Sequence, residues 1–268
     1  MNNFIQTYLY FIKITIRKKM MYRASYIAGI IGQWLGYGTI FATLYIVVKK
    51  FKLLGGWDAN EIAFLYSLSL ISYAIGASVF YTPCTGLANK IRTGEFDQVL
   101  TRPINPLIHE ILHGFNTGYL GHFILALLIM TSSLVKKNII LSNINILFII
   151  VSIIGGALIQ SAILILSSIG SFFMINDNPI LDFLLFQMKD FIQYPITIYN
   201  RIIQTTLTFI LPFAFINFYP ASKILNKDIP TGFHPILQYI GPLVGLILFI
   251  TSIILWNVGV SKYKSTGT

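Results

Sequence analysis

Apolar runs of membrane-crossing length, with the charged residues gathered at their edges, constrain this chain more than any other feature. Stretches 24–48, 61–83, 111–135 and 144–174, with a fifth at 236–258, each supply the roughly 20 mostly apolar residues that a crossing helix needs. A soluble domain is about a quarter charged, which is what covers its core. Only 10% of these 268 residues are charged and 55% are hydrophobic, so there is no polar shell to fold behind. The reading is an all-α integral membrane protein. The first run is longer than the apolar part of a removable leader, so it is expected to stay as an anchor. The single cysteine, Cys84, leaves no intrachain disulfide framework and no cysteine-based metal cluster.

Between 175 and 235 two topologies stay open. In one, 175–200 is a cytoplasmic amphipathic stretch and 201–218 crosses back. In the other, 174–193 crosses and the proline-punctuated run after Tyr194 dips into the outer leaflet and returns. The second puts Asp182 and Lys189 at membrane depth, where a charge costs about 2.5–3.5 kcal/mol at a helix centre unless protein shields it. Both give six crossings with both termini on one side. On the first, twelve of the 19 Lys and Arg fall on the terminal side, against Lys49, Lys50, Lys52, Lys136, Lys137, Lys223 and Lys227 on the other. That bias places both termini in the cytoplasm. The second topology weakens it by taking Lys189 and Arg201 away.

Residues 1–23 form a separate element. Phe4, Tyr8, Phe11, Ile12 and Ile16 recur at helical spacing while Lys13, Arg17, Lys18 and Lys19 fall mainly on another face. A basic amphipathic helix beside a span lies in the membrane interface; a solvated leader helix is the alternative. The formal charge of +10 contains no long basic run, which points to anionic lipid headgroups as counter-ions and away from nucleic acid. In the first span Ala28, Gly32 and Gly36 repeat at every fourth residue, a stripe that lets another helix approach closely within the chain or from a second subunit. Gln33, Gln160 and His122 are polar groups inside spans. They serve interhelical hydrogen bonds or line a route, with Gln33 and Gln160 as candidates for a translocation path. Residues 24–260 read as one six-helix domain, followed by a cytosolic tail at 261–268.

Two constellations could carry chemistry. His109-Glu110-Ile111-Leu112-His113 is a literal H-E-x-x-H, which on a helix sets two imidazoles one turn apart for zinc, with the glutamate as general base. A membrane metalloprotease would need a third ligand, for which Asp182 in Asn176-Asp177-Asn178-Pro179-Ile180-Leu181-Asp182-Phe183 is the candidate, but no glycine follows it. His122, nine residues beyond His113, is half a turn out of phase. The expectation is that no metal binds. The second constellation is the segment 87–107, part of a cytosolic stretch at 84–108. It combines charges of both signs, a glycine break, and apolar knobs at Phe96, Val99 and Leu100 that could seat in a partner's groove.

Within that segment Gly94-Glu95-Phe96-Asp97-Gln98-Val99-Leu100-Thr101-Arg102-Pro103 resembles the G-[ED]-[FL]-D-x-x-L-x-[RK]-P signature of type 2 (ABC-2) ABC transporter permeases, in particular a six-span exporter subgroup. Tyr194-Pro195-Ile196-Thr197-Ile198-Tyr199, followed by Pro212-Phe213-Ala214-Phe215 and Tyr219-Pro220-Ala221, is similar to a second pattern of that subgroup. The resemblance runs in order over nearly the whole chain, and the polar stretch 175–190 departs from it.

The resemblance implies a cytosolic coupling helix between spans 2 and 3 that docks on an ATPase subunit. Arg92, Gly94, Glu95, Phe96, Asp97, Leu100, Arg102 and Pro103 then become the contact candidates. It implies extracellular re-entrant helices across 194–235, carrying Tyr194, Pro195, Pro212, Tyr219 and Pro220, and an interfacial helix at the N-terminus. It gives Ala28, Gly32 and Gly36 a partner in a second permease, as homodimer or heterodimer. No G-x-x-x-x-G-K-[ST] phosphate loop occurs, so ATP hydrolysis, with ATP and magnesium, is expected in a partner chain and no cofactor in this one. The functional expectation is the permease subunit of an ATP-driven exporter in a bacterial plasma membrane. The alternatives are the zinc protease and a non-transporting anchor or sensor subunit. The substrate is not readable.

Overall fold

In a computed structural model of the chain, which describes residues 2–139, 142–174, 183 and 188–265, the described residues form helices and loops with no β-strand. The N-terminal pattern becomes α1 (Asn2–Met21). Tyr8 and Phe11 turn inward to meet Phe115 and His113, while Lys13, Arg17 and Lys18 stay exposed. The side chain of Phe4 lies outside the described residues. After Tyr22 the chain re-enters a helix as α2 (Arg23–Phe51), of which only Leu44 and Val48 are buried. This span therefore sits at the periphery.

The centre of the bundle is α3 (Ala59–Arg92), 34 residues long. Its start is set by a reciprocal cap: Asp58 accepts from the backbone N–H groups of Asn60 and Glu61, and the Glu61 carboxylate accepts from the Asp58 N–H. At 1.5 Å per residue it reaches about 50 Å, against roughly 30 Å of bilayer hydrocarbon. The expected span 61–83 is thus only part of it. The helix continues through Pro83 to Arg92, and the first nine residues of the stretch 84–108 are its projecting end.

A short helix, α4 (Glu95–Leu100), follows, then α5 (Pro106–Gly114) and α6 (Tyr119–Lys136). The expected crossing at 111–135 is therefore broken. Asn116 makes the break: its side-chain oxygen accepts from the Gly118 N–H at 2.9 Å, and its own N–H donates to the Ser78 carbonyl at 2.8 Å. Gly114 lies so close to Pro83 that an added Cβ would stand 2.5 Å from the proline ring. The crossing proper is α6.

Next comes α7 (Asn143–Ile169), extended by a 3-10 turn at Gly170–Phe172. Phe172 lies beside Phe96 at the α4 end of the bundle, whereas the Thr197 hydroxyl donates to the Gly55 carbonyl at the opposite end. Phe172 and Thr197 thus stand at opposite ends, and the crossing expected at 174–193 lies mostly outside the described residues. Asp182 and the Lys189 side chain lie outside the described residues.

Two short helices, α8 (Arg201–Thr205, continued by a wide π turn to Ile210) and α9 (Phe218–Ile224), come from apolar segments bent by 77° at Leu211 and Pro212. Arg201 bonds the Thr231 carbonyl and Lys227 the Gly56 carbonyl. Both arms thus return to one end, the geometry of a re-entrant hairpin, and a straight crossing at 201–218 is not formed. The chain closes with α10 (Gly241–Lys262), packed on α7 through Gly155 and Gly245, where an added Cβ at position 155 would stand 2.6 Å from the Pro242 Cα. Among the described residues five helices (α2, α3, α6, α7 and α10) are long and apolar enough to cross a membrane, or six if the bent pair Arg201–Ile210 and Phe213–Ile224 is one span.

Candidate functional site

The most function-laden residues gather at the α4 end. Thr93 closes α3 by donating its N–H to the Asn89 carbonyl, and Gly94 then turns the chain at φ 73°, a left-handed conformation that glycine adopts freely. That turn lays α4 across the ends of α7 and α10. Phe96 is 0% exposed, with ring centres at 5.6 Å from Phe172, 5.4 Å from Tyr263 and 6.5 Å from Trp256. Val99 is buried beside it.

This corrects the expectation that Phe96 and Val99 are outward knobs. The bundle itself offers an aromatic socket, so the apolar face of α4 turns inward and serves as an anchor. The outward face keeps Glu95 and Leu100, and the turn just beyond it Arg102 and Pro103, all exposed. Asp97 is half-buried and accepts from the Ser265 hydroxyl at 2.6 Å. Arg92 is exposed and donates to Asn89 at 2.8 Å, within its own helix.

The H-E-x-x-H lies on α5, one turn past the Asn105 cap. Glu110 is 2% exposed and paired with Lys90 at 2.6 Å, so the would-be general base is a strut between α5 and the end of α3. His109 and His113 stack with ring centres 4.4 Å apart. Burial, and then the neighbouring His113, pull the His109 pKa below its ordinary value. No group of three or more His, Cys, Asp or Glu side chains that could hold a metal occurs among the described residues, and Asp182 lies outside them. Among the described residues the arrangement has the form of packing and ion pairing.

The opposite end carries a network that the sequence reading did not single out. Lys137, at the end of α6, reaches Asp58 at 2.7 Å and Glu61 at 3.0 Å, and Lys227, just past α9, reaches Glu61 at 2.8 Å. Glu61 is 4% exposed. Burial pushes the Asp58 carboxyl up, but the Lys137 ammonium and the backbone N–H groups of Glu61 and Asn60 outweigh it and hold it below the usual carboxylate range. The readable signal was Asp-x-x-Glu before an apolar run, a capping box. The lysine partners of Asp58 and Glu61 come from 76 to 166 positions away along the chain and leave no local trace.

The proline-rich hairpin packs against this network. Pro195, Pro212, Tyr219 and Pro220 are buried and Tyr194 is half-buried. The Tyr219 hydroxyl lies 3.0 Å from that of Thr208, joining the two arms. Gln33 and Gln160 are not brought together. Gln33 sits on peripheral α2 near α6, while Gln160 is 6% exposed on α7, which packs on α3 and α10. His122 is buried among Tyr37, Tyr73 and Tyr119. Ala28, Gly32 and Gly36 face outward, and an added Cβ at either glycine meets nothing within 4 Å.

Among known proteins, a family model described as "ABC-2 family transporter protein" matches residues 35–267. No curated protein and no solved structure matches the chain.

Proposed function

The chain belongs to the ABC-2 transporter family, whose members are membrane permeases of ABC transporters, and from that premise we propose that it is the export subunit driven by separate ATPase chains. It is a multi-pass membrane transport subunit, not itself an enzyme. The observation that carries the finer reading is the two-faced build of α4. One face is locked by Phe96 into the ends of α7 and α10, and the other exposes Glu95 and Leu100, with Arg102 exposed in the turn just beyond.

A docking helix has to do both things. Exposed charges of opposite sign set the register of a partner, and the buried aromatic transmits its displacement to the spans. In this reading the α4 end faces the cytoplasm of a bacterial cell. ATP and magnesium are held by the ATPase subunits, whose closure pushes α4 and shifts the permease between two access states. Lys90–Glu110 ties α5 to the same movement. A second permease copy, or a related one, packs on the Ala28, Gly32 and Gly36 stripe, and cargo passes between the halves. Gln33 and Gln160 remain the candidates for lining that route.

Reversing the exposed charges tests the docking. Glu95→Arg with Arg102→Glu is expected to abolish co-purification of an ATPase subunit in mild detergent, with the melting temperature of the permease unchanged. Wild-type recovery of the ATPase by that variant would remove α4 as the docking element.

A further inference from the structure

Where the interfacial helix bends into the first span, the chain forms an open cavity of about 560 Å³ that the coupling reading does not use. Small-ligand sites span roughly 300–1,000 Å³. The charge of its lining is one-sided: Lys18 and Lys19 contribute to it, and no Asp or Glu does among the described residues. Tyr22 and Ser25, which carry hydroxyl donors, also line it. Lys19 is half-buried, donates to Asn116 Oδ1 at 3.1 Å and takes part in none of the ion pairs among the described residues. Burial holds its pKa below the ordinary lysine value, the mark of a cation drawn from water without a counter-ion. Gln33 also lines the cavity, and its Oε1 is buried with no hydrogen-bond partner among the described residues. The adjoining outward face of α2 is apolar, with Ile27, Ile31 and Leu35 exposed.

A basic, hydroxyl-rich hollow beside an apolar wall matches an amphiphile with an anionic head. We propose that this elbow binds the phosphate ester of an anionic lipid. The head lies against Lys18 and Lys19, with Tyr22 and Ser25 donating to its oxygens. The acyl chains run along the Ile27, Ile31 and Leu35 edge of α2, beside the stripe of Ala28, Gly32 and Gly36 and not over it. The α1 and α2 part of the lining precedes residue 35, where the family match begins, and the site does not depend on α4 or on transport.

The test uses the full-length chain in detergent, titrated with dioleoylphosphatidylglycerol, dioleoylphosphatidylcholine or inorganic phosphate, with adducts counted by native mass spectrometry. The glycerol lipid is expected to bind at least tenfold more tightly than the choline lipid. Lys18→Gln with Lys19→Gln should weaken it about 30-fold, given the worth of each basic residue near an anionic headgroup. Gly29→Leu fills the cavity at a position where an added Cβ meets nothing within 4 Å, and it should block binding with the charge intact. Lys13→Gln with Arg17→Gln, on the same helix outside the lining, should leave binding unchanged. Equal loss from that control pair would reduce the effect to surface charge and overturn the proposal. So would binding that survives both the lysine pair and Gly29→Leu. Inorganic phosphate binding as tightly as the lipid would keep the phosphate site and assign it to the free ion.

Discussion

Phe96 shows how much a single side chain decides in this protein. Its ring is fully enclosed by Phe172, Trp256 and Tyr263, three residues contributed by two spans and the chain beyond them. Removing a buried phenyl ring costs about 3–5 kcal/mol where the surroundings cannot collapse. Gly259 limits that collapse, because a Cβ there would already stand 2.7 Å from the Phe172 ring. Phe96→Ala is therefore expected to lower the melting temperature and loosen the α4 end. Cys84 provides the reporter: it is buried in the same cluster and is the only cysteine of the chain. Its thiol should react slowly with maleimide in the wild type, quickly in Phe96→Ala, and slowly again in Phe96→Leu. Unchanged labelling in Phe96→Ala would mean that the aromatic socket does not hold α4.

The helices were legible in the sequence for a simple reason: a run of apolar residues too long for a soluble core has few other states. Their ends were less legible. Hydropathy marks where lipid stops, but α3 runs on to Arg92 because nothing after Pro83 interrupts its backbone hydrogen bonding until Thr93 and Gly94. The break between α5 and α6 hides in an apolar stretch, since Asn116 is one polar residue whose turn becomes visible only with Ser78 beside it. Which way α4 faces was equally unreadable. Phe96 and Val99 fit a partner's groove or the chain's own socket, and the socket is made by residues far along the sequence.

The ion-pair network joining α3, α6 and the hairpin makes a prediction at this scale. Asp58 titrates below the usual value of 3.8, so its contribution to stability is present above that pH and disappears as the pH falls through the lowered value. Lys137 is raised above 10.5, chiefly by its hydrogen bond to Asp58, so its contribution is complete below that pH and disappears as the pH rises through the folded value. The stabilisation should form a plateau between those limits. Lys137→Met should lower the melting temperature by a constant amount at neutral pH, and the gap to wild type should narrow towards pH 3. A gap of the same size at pH 3 and pH 7 would show that the pairs do not fasten the three elements.

Over the whole molecule the burial is uneven, and the unevenness has a direction. The α3 helix is wrapped on nearly every side and α7 on most, whereas the outward face of α2 carries exposed Ile27, Ile31, Leu35 and Ile46 next to Ala28, Gly32 and Gly36. Among the described residues nothing lies within 4 Å of a Cβ built at Gly32 or Gly36, so neither glycine packs on any of them. A stripe without side chains permits a close helix–helix approach, and association of that kind rests on backbone proximity that one large side chain prevents. The expected partner surface is a second permease. Gly32→Ile should therefore leave the fold of each chain intact, with unchanged melting in detergent, while shifting the two-permease assembly towards single chains in mild-detergent light scattering. The same substitution placed at Gly245 should instead unfold the chain, because that glycine lies against the Gly155 carbonyl between α7 and α10. If Gly32→Ile keeps the wild-type mass of the assembly, the stripe is not where the two halves meet.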